Sequence, residues 1–169
     1  MDGWAAAALG DAEWVHVAGL LRSHFPTDVV ERLADGRQLL LDAQGILRRA
    51  SVGPLQRDDE VDRAMLEHLR VLKLNEDEGR LLAGGLEPEQ LRAIGVPEVV
   101  LTLGSDGALL VTESEAIEIP SQPTHGEVDP TGAGDAFSVA YLAGRARGLG
   151  PGAAAEHASI AVAELLSSP

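Results

Sequence analysis

The sequence predicts an α/β fold, a mostly parallel sheet with helices packed against it. Two observations carry that expectation. Short β-prone runs alternate with helical periods along the chain, the order that crossover connections turn into a parallel sheet. The run Leu39-Leu40-Leu41 is apolar at every position, as in a strand covered on both faces; a strand with one wet face would alternate. The 169 residues are one domain's length, enough to bury a sizeable core, and no repeat or low-complexity linker divides them. The chain is therefore read as a single domain over residues 1–169.

Trp14-Val15-His16-Val17-Ala18-Gly19 is a β-prone run that ends on glycine. Phe25 to Leu33 reads as a helix, with Pro26, Thr27 and Asp28 at its start and Gly36 after its end. Leu39 to Asp42 is a strand that stops on a carboxylate. Arg57 to Arg70 is expected to be helical, with Val61, Met65, Leu66 and Leu69 near one face. Val71 to Leu74 is a strand, and Asn75-Glu76-Asp77-Glu78 opens a short helix that runs to Ala83. Pro88 to Ile94 reads as one more helix. Glu98 to Leu103 is a strand ending in Gly104-Ser105-Asp106-Gly107, a turn signal. Ala108 to Thr112 and Ala116 to Ile119 continue as antiparallel strands. A helix is expected from Gly132 to Arg147, a break at Pro151 and Gly152, and a final alanine-rich helix from Ala153 to Leu166.

Composition narrows the function classes. Apolar residues make up 45 % of the chain and aromatics only 3 %, so a folded core must be built mainly from Leu, Val and Ala. The absence of cysteine excludes disulfides and thiolate metal sites. A formal net charge of −14 argues against nucleic acid or an anionic membrane as partner. Ala5 to Leu9 is a short apolar run with Asp2 before it, neither a secretory nor a membrane-spanning pattern, so a cytoplasmic location is expected. His16, His24, His68 and His125 have no metal-ligand spacing and read as incidental.

Parallel α/β sheets bind ligands beyond the carboxyl ends of their strands. That rule gathers Asp42, Asn75, Gly104 to Gly107 and Gly132 to Asp135 on one rim. A ligand contact at Asp42, Gln44 and Gly45 is outweighed by a plain strand-terminating turn. The most informative stretch is Val128-Asp129-Pro130-Thr131-Gly132-Ala133-Gly134-Asp135-Ala136-Phe137. It reads as a tight turn feeding a helix N-terminus, where unpaired N–H groups and the helix dipole favour an anion. Residues 132 and 134 lack side chains, so a ligand can approach the backbone. Asp135 stands where a carboxylate could take a proton from an attacking hydroxyl. A bare Gly-x-Gly-Asp would also be ordinary capping.

The whole string Asp129 to Phe137 resembles the C-terminal motif of the ribokinase-like carbohydrate kinases, the PfkB family. The resemblance implies a ribokinase-like fold and phosphorylation of a hydroxyl on a sugar or related polyol by ATP. It makes Asp135 the catalytic base, and the backbone amides of Gly132, Ala133 and Gly134 the anion hole. Lys73-Leu74-Asn75-Glu76-Asp77-Glu78 resembles the family's Asn-x-x-Glu element, which implies that Asn75 and Glu78 organise Mg2+ and its waters. Leu101-Thr102-Leu103-Gly104-Ser105-Asp106-Gly107 is similar to the family's nucleotide-binding strand and turn, implying nucleotide contacts at Thr102, Gly104, Ser105 and Gly107; a plain hairpin turn explains the same residues. Asp129 and Thr131 match positions that hold a monovalent cation, such as K+, in many members. His157 matches a position that often lines the adenine pocket, and a half-buried helix histidine is an equal reading.

Full members of the family are longer. The N-terminal half expected before Trp14, with a Gly-Gly substrate motif and a β-lid, is not found in this sequence. Two functional readings follow: a small-molecule kinase (shortened, truncated, or one chain of a two-part enzyme), or a nucleotide-binding or interaction module without catalysis. A degenerate fragment is the third reading. Leu41 to Gly45, Leu72-Lys73-Leu74 and Val128 to Thr131 look closest to the inositol-kinase-like branch. An exposed sheet edge left by the missing half would favour a homodimer or a partner chain.

Overall fold

The computed structural model describes residues 8–124 and 129–167. In chain order these form β1 (Trp14–Val17), α1 (Thr27–Ala34), β2 (Gln38–Asp42), α2 (Ala43–Ile46), β3 (Arg48–Arg49), β4 (Gln56–Arg57), α3 (Arg63–Leu66), β5 (Val71–Asn75), α4 (Glu76–Ala83) and α5 (Pro88–Arg92). β6 (Glu98–Thr102), β7 (Ala108–Thr112), β8 (Ala116–Ile119), α6 (Ala133–Ala146) and α7 (Pro151–Leu166) complete the fold.

Six strands make one sheet in the order β1-β2-β5-β6-β7-β8. The first four are parallel, and β7 and β8 add antiparallel to that edge. Alternation along each strand divides the core in two. Val15, Leu39, Leu41, Leu72, Leu74, Val99 and Leu101 face a layer built by α1 to α5, including Val30, Ile46, Met65, Leu82 and Leu91. Leu40, Val71, Val100 and Leu110 face the opposite way, against Phe137 and Tyr141 of α6 and Ala154, Ala155 and Ala158 of α7. Both faces are dry, which is why the strands read as unbroken apolar runs.

The direction of α6 is fixed at its C-terminal end. Near its C-terminus, Arg145 donates to the Glu98 carboxylate at the start of β6 (2.8 and 3.2 Å), and Tyr141 Oη donates to the same carboxylate (2.6 Å). Arg70 adds a third donor at 3.0 Å, and the Arg145 guanidinium lies 5.2 Å from the centroid of the Trp14 ring. Burial, and then the Glu98 charge, push the Tyr141 hydroxyl far above the usual tyrosine range. α6 therefore runs antiparallel to the parallel strands, and its N-terminus arrives at their carboxyl ends.

Two expectations are corrected. Arg57 to Arg70 is not one helix: Gln56–Arg57 pairs antiparallel with Arg48–Arg49, and only Arg63–Leu66 is helical. The acidic residues between them compete for the backbone. Asp58 accepts from the Glu60 N–H and from Arg22, and Asp62 caps α3 by accepting from the Ala64 N–H. The expected apolar positions Val61, Met65, Leu66 and Leu69 are nevertheless buried. Pro151 and Gly152 do not break the chain after α6 but open α7, where proline at N1 loses no helical hydrogen bond.

Candidate active site

β2, β5 and β6 end at Asp42, Asn75 and Thr102, beside the first turn of α6. A cleft of about 740 Å³ opens there. Its walls come from Lys73, Asn75, Glu76, Asp77 and Arg80 on one side and from Thr102, Gly104, Ser105 and Gly107 on another. Ala133, Gly134 and Phe137 bring in α6, and Ser159, Val162, Ala163 and Leu166 of α7 form an end with an apolar lining.

The entry to α6 is a turn. Pro130 O accepts from the Ala133 N–H at 3.1 Å, and Gly132 is left-handed at φ 82° and ψ −3°, the values that the third residue of a type II turn requires. Gly132 caps the helix without a side chain. The expected amide trio is thus redistributed: Ala133 is engaged by Pro130, and among the described residues the N–H groups of Gly132, Gly134 and Asp135 have no protein acceptor. Asp135 is exposed. Val128 and His125 lie outside the described residues.

Beneath this turn lies a pair that sequence reasoning missed. Lys73 and Asp42 are 7 % and 6 % exposed, and Lys73 Nζ lies 3.0 Å from Asp42 Oδ2. A Cβ added at Gly134 would stand 2.8 Å from that same Nζ, so the glycine lets the α6 backbone settle on the ammonium. Asp42 also accepts from the Gln44 N–H at 3.1 Å, so the strand-terminating turn and the ion pair share one carboxylate. The signal was a lone lysine inside the apolar run Val71 to Leu74, where a charge must be paired to be buried.

Asn75 and Glu78 form a capping box. Asn75 Oδ1 accepts from the Glu78 N–H (3.0 Å) and Glu78 Oε2 from the Asn75 N–H (2.9 Å). Asn75 lines the cleft; Glu78, 2 % exposed, does not, and the carboxylates that do are Glu76 and Asp77. Among the described residues no group of three or more His, Asp or Glu side chains is placed to hold a metal ion by itself. Asn75, Glu76 and Asp77 bring to the cleft the oxygen donors that Mg2+ takes one or two of, although Arg80 pairs with Glu76 at 3.0 Å and with Asp77 at 4.0 Å. Asp129 and Thr131 are both exposed. They turn on each other through a 2.9 Å bond from the Thr131 N–H, and hydrogen bonding by Thr131 holds the Asp129 carboxyl below the usual range.

Burial raises the Glu78 carboxyl, against the opposing effect of the Asn75 N–H. A folded-state pKa above the unfolded one gives stability that is complete below the unfolded pKa and lost as pH rises through the folded one. Urea unfolding followed upward from pH 4 is therefore expected to show such a loss, and Glu78→Gln to remove it. Equal pH dependence in both proteins would contradict this.

Thr102 reaches the cleft, but its Oγ1 donates to Leu74 O at 3.1 Å and so ties β6 to β5. Ser105 is exposed, and its carbonyl accepts from Ser121 Oγ at 2.6 Å. Gly104 and Gly107 have φ of 59° and 95°, and a Cβ at 107 would drive into the Ile119 carbonyl and lie 2.7 Å from Ser121 N. Gly107→Ala is expected to cost at least about 2 kcal/mol, read as a lowered urea midpoint; an unchanged midpoint would show that the turn relaxes freely. His157 is half-buried and absent from the cleft lining, to which α7 contributes Ser159, Val162, Ala163 and Leu166 instead.

A glycine-opened helix N-terminus stands at the carboxyl rim of a mostly parallel sheet, with a buried ammonium behind it, the arrangement in which α/β folds offer unpaired N–H groups to a ligand. The chain belongs to the pfkB family of carbohydrate kinases, whose profile matches residues 3–167. Over 61 residues it is 46 % identical to a 1-phosphofructokinase of Haloferax volcanii, a match covering 36 % of this chain and 20 % of that protein. Over 92 residues it is 35 % identical to a cytidine kinase of Thermococcus kodakarensis, covering 51 % and 33 %. The fold is that of solved ribokinase-family structures. A pyrophosphate-dependent kinase complexed with a pyrophosphate analog and myo-inositol superposes with a TM-score of 0.84 at 24 % identity, over 98 % of this chain and 62 % of the other. Arabidopsis thaliana ribokinase complexed with ribose and ATP gives 0.77 at 23 %, over 99 % and 54 %. The chain thus spans less than two thirds of the proteins it resembles. No helix among the described residues is long and apolar enough to cross a membrane.

Proposed function

We propose that this chain carries the donor-binding and catalytic part of an ATP-dependent kinase that phosphorylates a hydroxyl of a sugar or related polyol. One observation carries the reading: the left-handed Gly132 turn, with Gly134 resting on the buried Lys73 ammonium at the cleft. Asp135 takes the acceptor's proton as the acceptor oxygen attacks the γ-phosphoryl group. The amides of Gly132 and Gly134 receive the charge that spreads over the transferring oxygens, and the Lys73 ammonium adds to it from below. Ala133 joins them only if its bond to Pro130 opens. Mg2+ on Asn75, Glu76 and Asp77, when bound with the donor, would neutralise phosphate charge. Ser159, Val162, Ala163 and Leu166 would receive the nucleoside end of ATP.

A cytoplasmic location and a homodimer, or a partner chain completing the acceptor side, belong to this proposal. Sedimentation giving only a monomer at high concentration would remove the dimer. The decisive assay is product formation from Mg·ATP with K+ present, across sugars, nucleosides and inositols, with pyrophosphate as alternative donor. Acceptor-dependent ADP release is expected. Turnover with pyrophosphate alone would reassign the donor. Absence of any turnover would favour the second reading, a nucleotide-binding or interaction module without catalysis.

A further inference from the structure

Three polar side chains meet on the α6-facing side of the sheet, just where the strands end. On β1, Trp14 packs against the cluster that holds Leu40, Val71 and Phe137, while Val15 belongs to the opposite layer. Strand alternation therefore turns His16 to the α6 side with Trp14. His16 is in register with Leu40, and two residues further Asp42 is in register with Lys73. The row His16, Asp42, Lys73 thus runs diagonally beneath the first turn of α6, and Gly134 closes over its lysine end.

Asp42 and Lys73 satisfy each other, but the His16 Nε2 atom is enclosed and has no hydrogen-bond partner among the described residues. Leaving such an atom unpaired costs about 1–3 kcal/mol. The charged groups that act on the ring are Asp42 of β2, Asp135 of α6 and Lys73 of β5; Arg145 of α6 lies at the far end, over Trp14.

We propose that His16 is a positioning residue for Asp135: the neutral imidazole, as its Nε2–H tautomer, donates to the Asp135 carboxylate directly or through one water and aims it at the acceptor hydroxyl. The role rests on the kinase reading; the nearness of the Asp135 charge to the ring does not. Burial outweighs the two carboxylates and lowers the imidazole's pKa from the usual histidine range, which keeps the ring neutral at neutral pH. On acidification the imidazolium holds Asp135 as a charge pair and withdraws it from the acceptor, so turnover falls.

Two experiments test this, and they fail separately. In histidine-selective NMR of the whole chain, with His16 assigned through His16→Gln, Asp135→Asn should shift the His16 titration to lower pH, because the carboxylate favours the charged ring. An unmoved titration overturns the proposal, whether or not the chain turns over any acceptor. In the kinase assay His16→Leu should lower kcat about ten- to a hundredfold, the scale of one hydrogen bond to a charged group, with the KM for Mg·ATP unchanged. His16→Gln, which can donate from a similar place without titrating, should recover most of kcat and keep it to lower pH than the natural chain. Equal kcat and pH profiles in all three proteins would overturn the proposal; so would a loss in His16→Leu that Gln does not rescue.

Discussion

Asp135→Asn is expected to lower kcat for phosphoryl transfer by about 10²- to 10⁴-fold, the usual contribution of one positioned general base. The side chain is exposed in the first turn of α6 and buries nothing, so the substitution should leave the urea midpoint and the KM for Mg·ATP almost unchanged. A carboxamide of the same shape cannot accept the acceptor's proton, which isolates the chemistry from the geometry. Comparable loss of nucleotide affinity would instead place Asp135 among the donor contacts. Undiminished turnover would remove it as the base.

Lys73→Met is expected to destabilise the fold by about 3–5 kcal/mol, because it leaves the Asp42 carboxylate buried without its countercharge. The double variant Asp42→Asn/Lys73→Met should recover most of that loss, since replacing both members of a buried pair is often close to neutral. Asparagine at 42 can still accept from the Gln44 N–H. Activity should not return with stability, because the double variant has no ammonium beneath Gly134. Full recovery of both would make the pair purely structural. Failure of the double variant to regain stability would mean that the carboxylate is not what Lys73 compensates.

These two residues also mark how far the sequence could be read. β2, β5 and β6 were legible because both of their faces are buried, so composition alone exposes them. The entry to α6 was legible because its left-handed turn favours glycine at 132, and glycine at 134 lets the helix backbone lie close to the end of Lys73. Lys73 and Asp42 were not legible as a pair. They lie 31 positions apart, and only the register of β2 with β5 brings them together. The same holds for Glu98, whose three donors come from Arg70, Tyr141 and Arg145 on separate elements or turns. The helix expected from Arg57 to Arg70 failed for a local reason: its apolar spacing was correct, but Asp58 and Asp62 bind nearby N–H groups and interrupt it. His16 read as incidental because nothing in its own neighbourhood shows that α6, over a hundred residues later, covers it.

Seating of the donor's phosphates on the first turn of α6 is read out residue by residue in a 1H–15N correlation spectrum recorded during titration with Mg·ATP. The largest shifts are expected on the amides of Gly132, Gly134 and Asp135, with smaller ones at Gly104 to Gly107 and along the α7 wall at Val162 to Leu166. Saturable shifts that leave residues 132–135 untouched, or no shifts at concentrations well above those at which kinases hold ATP, would contradict it.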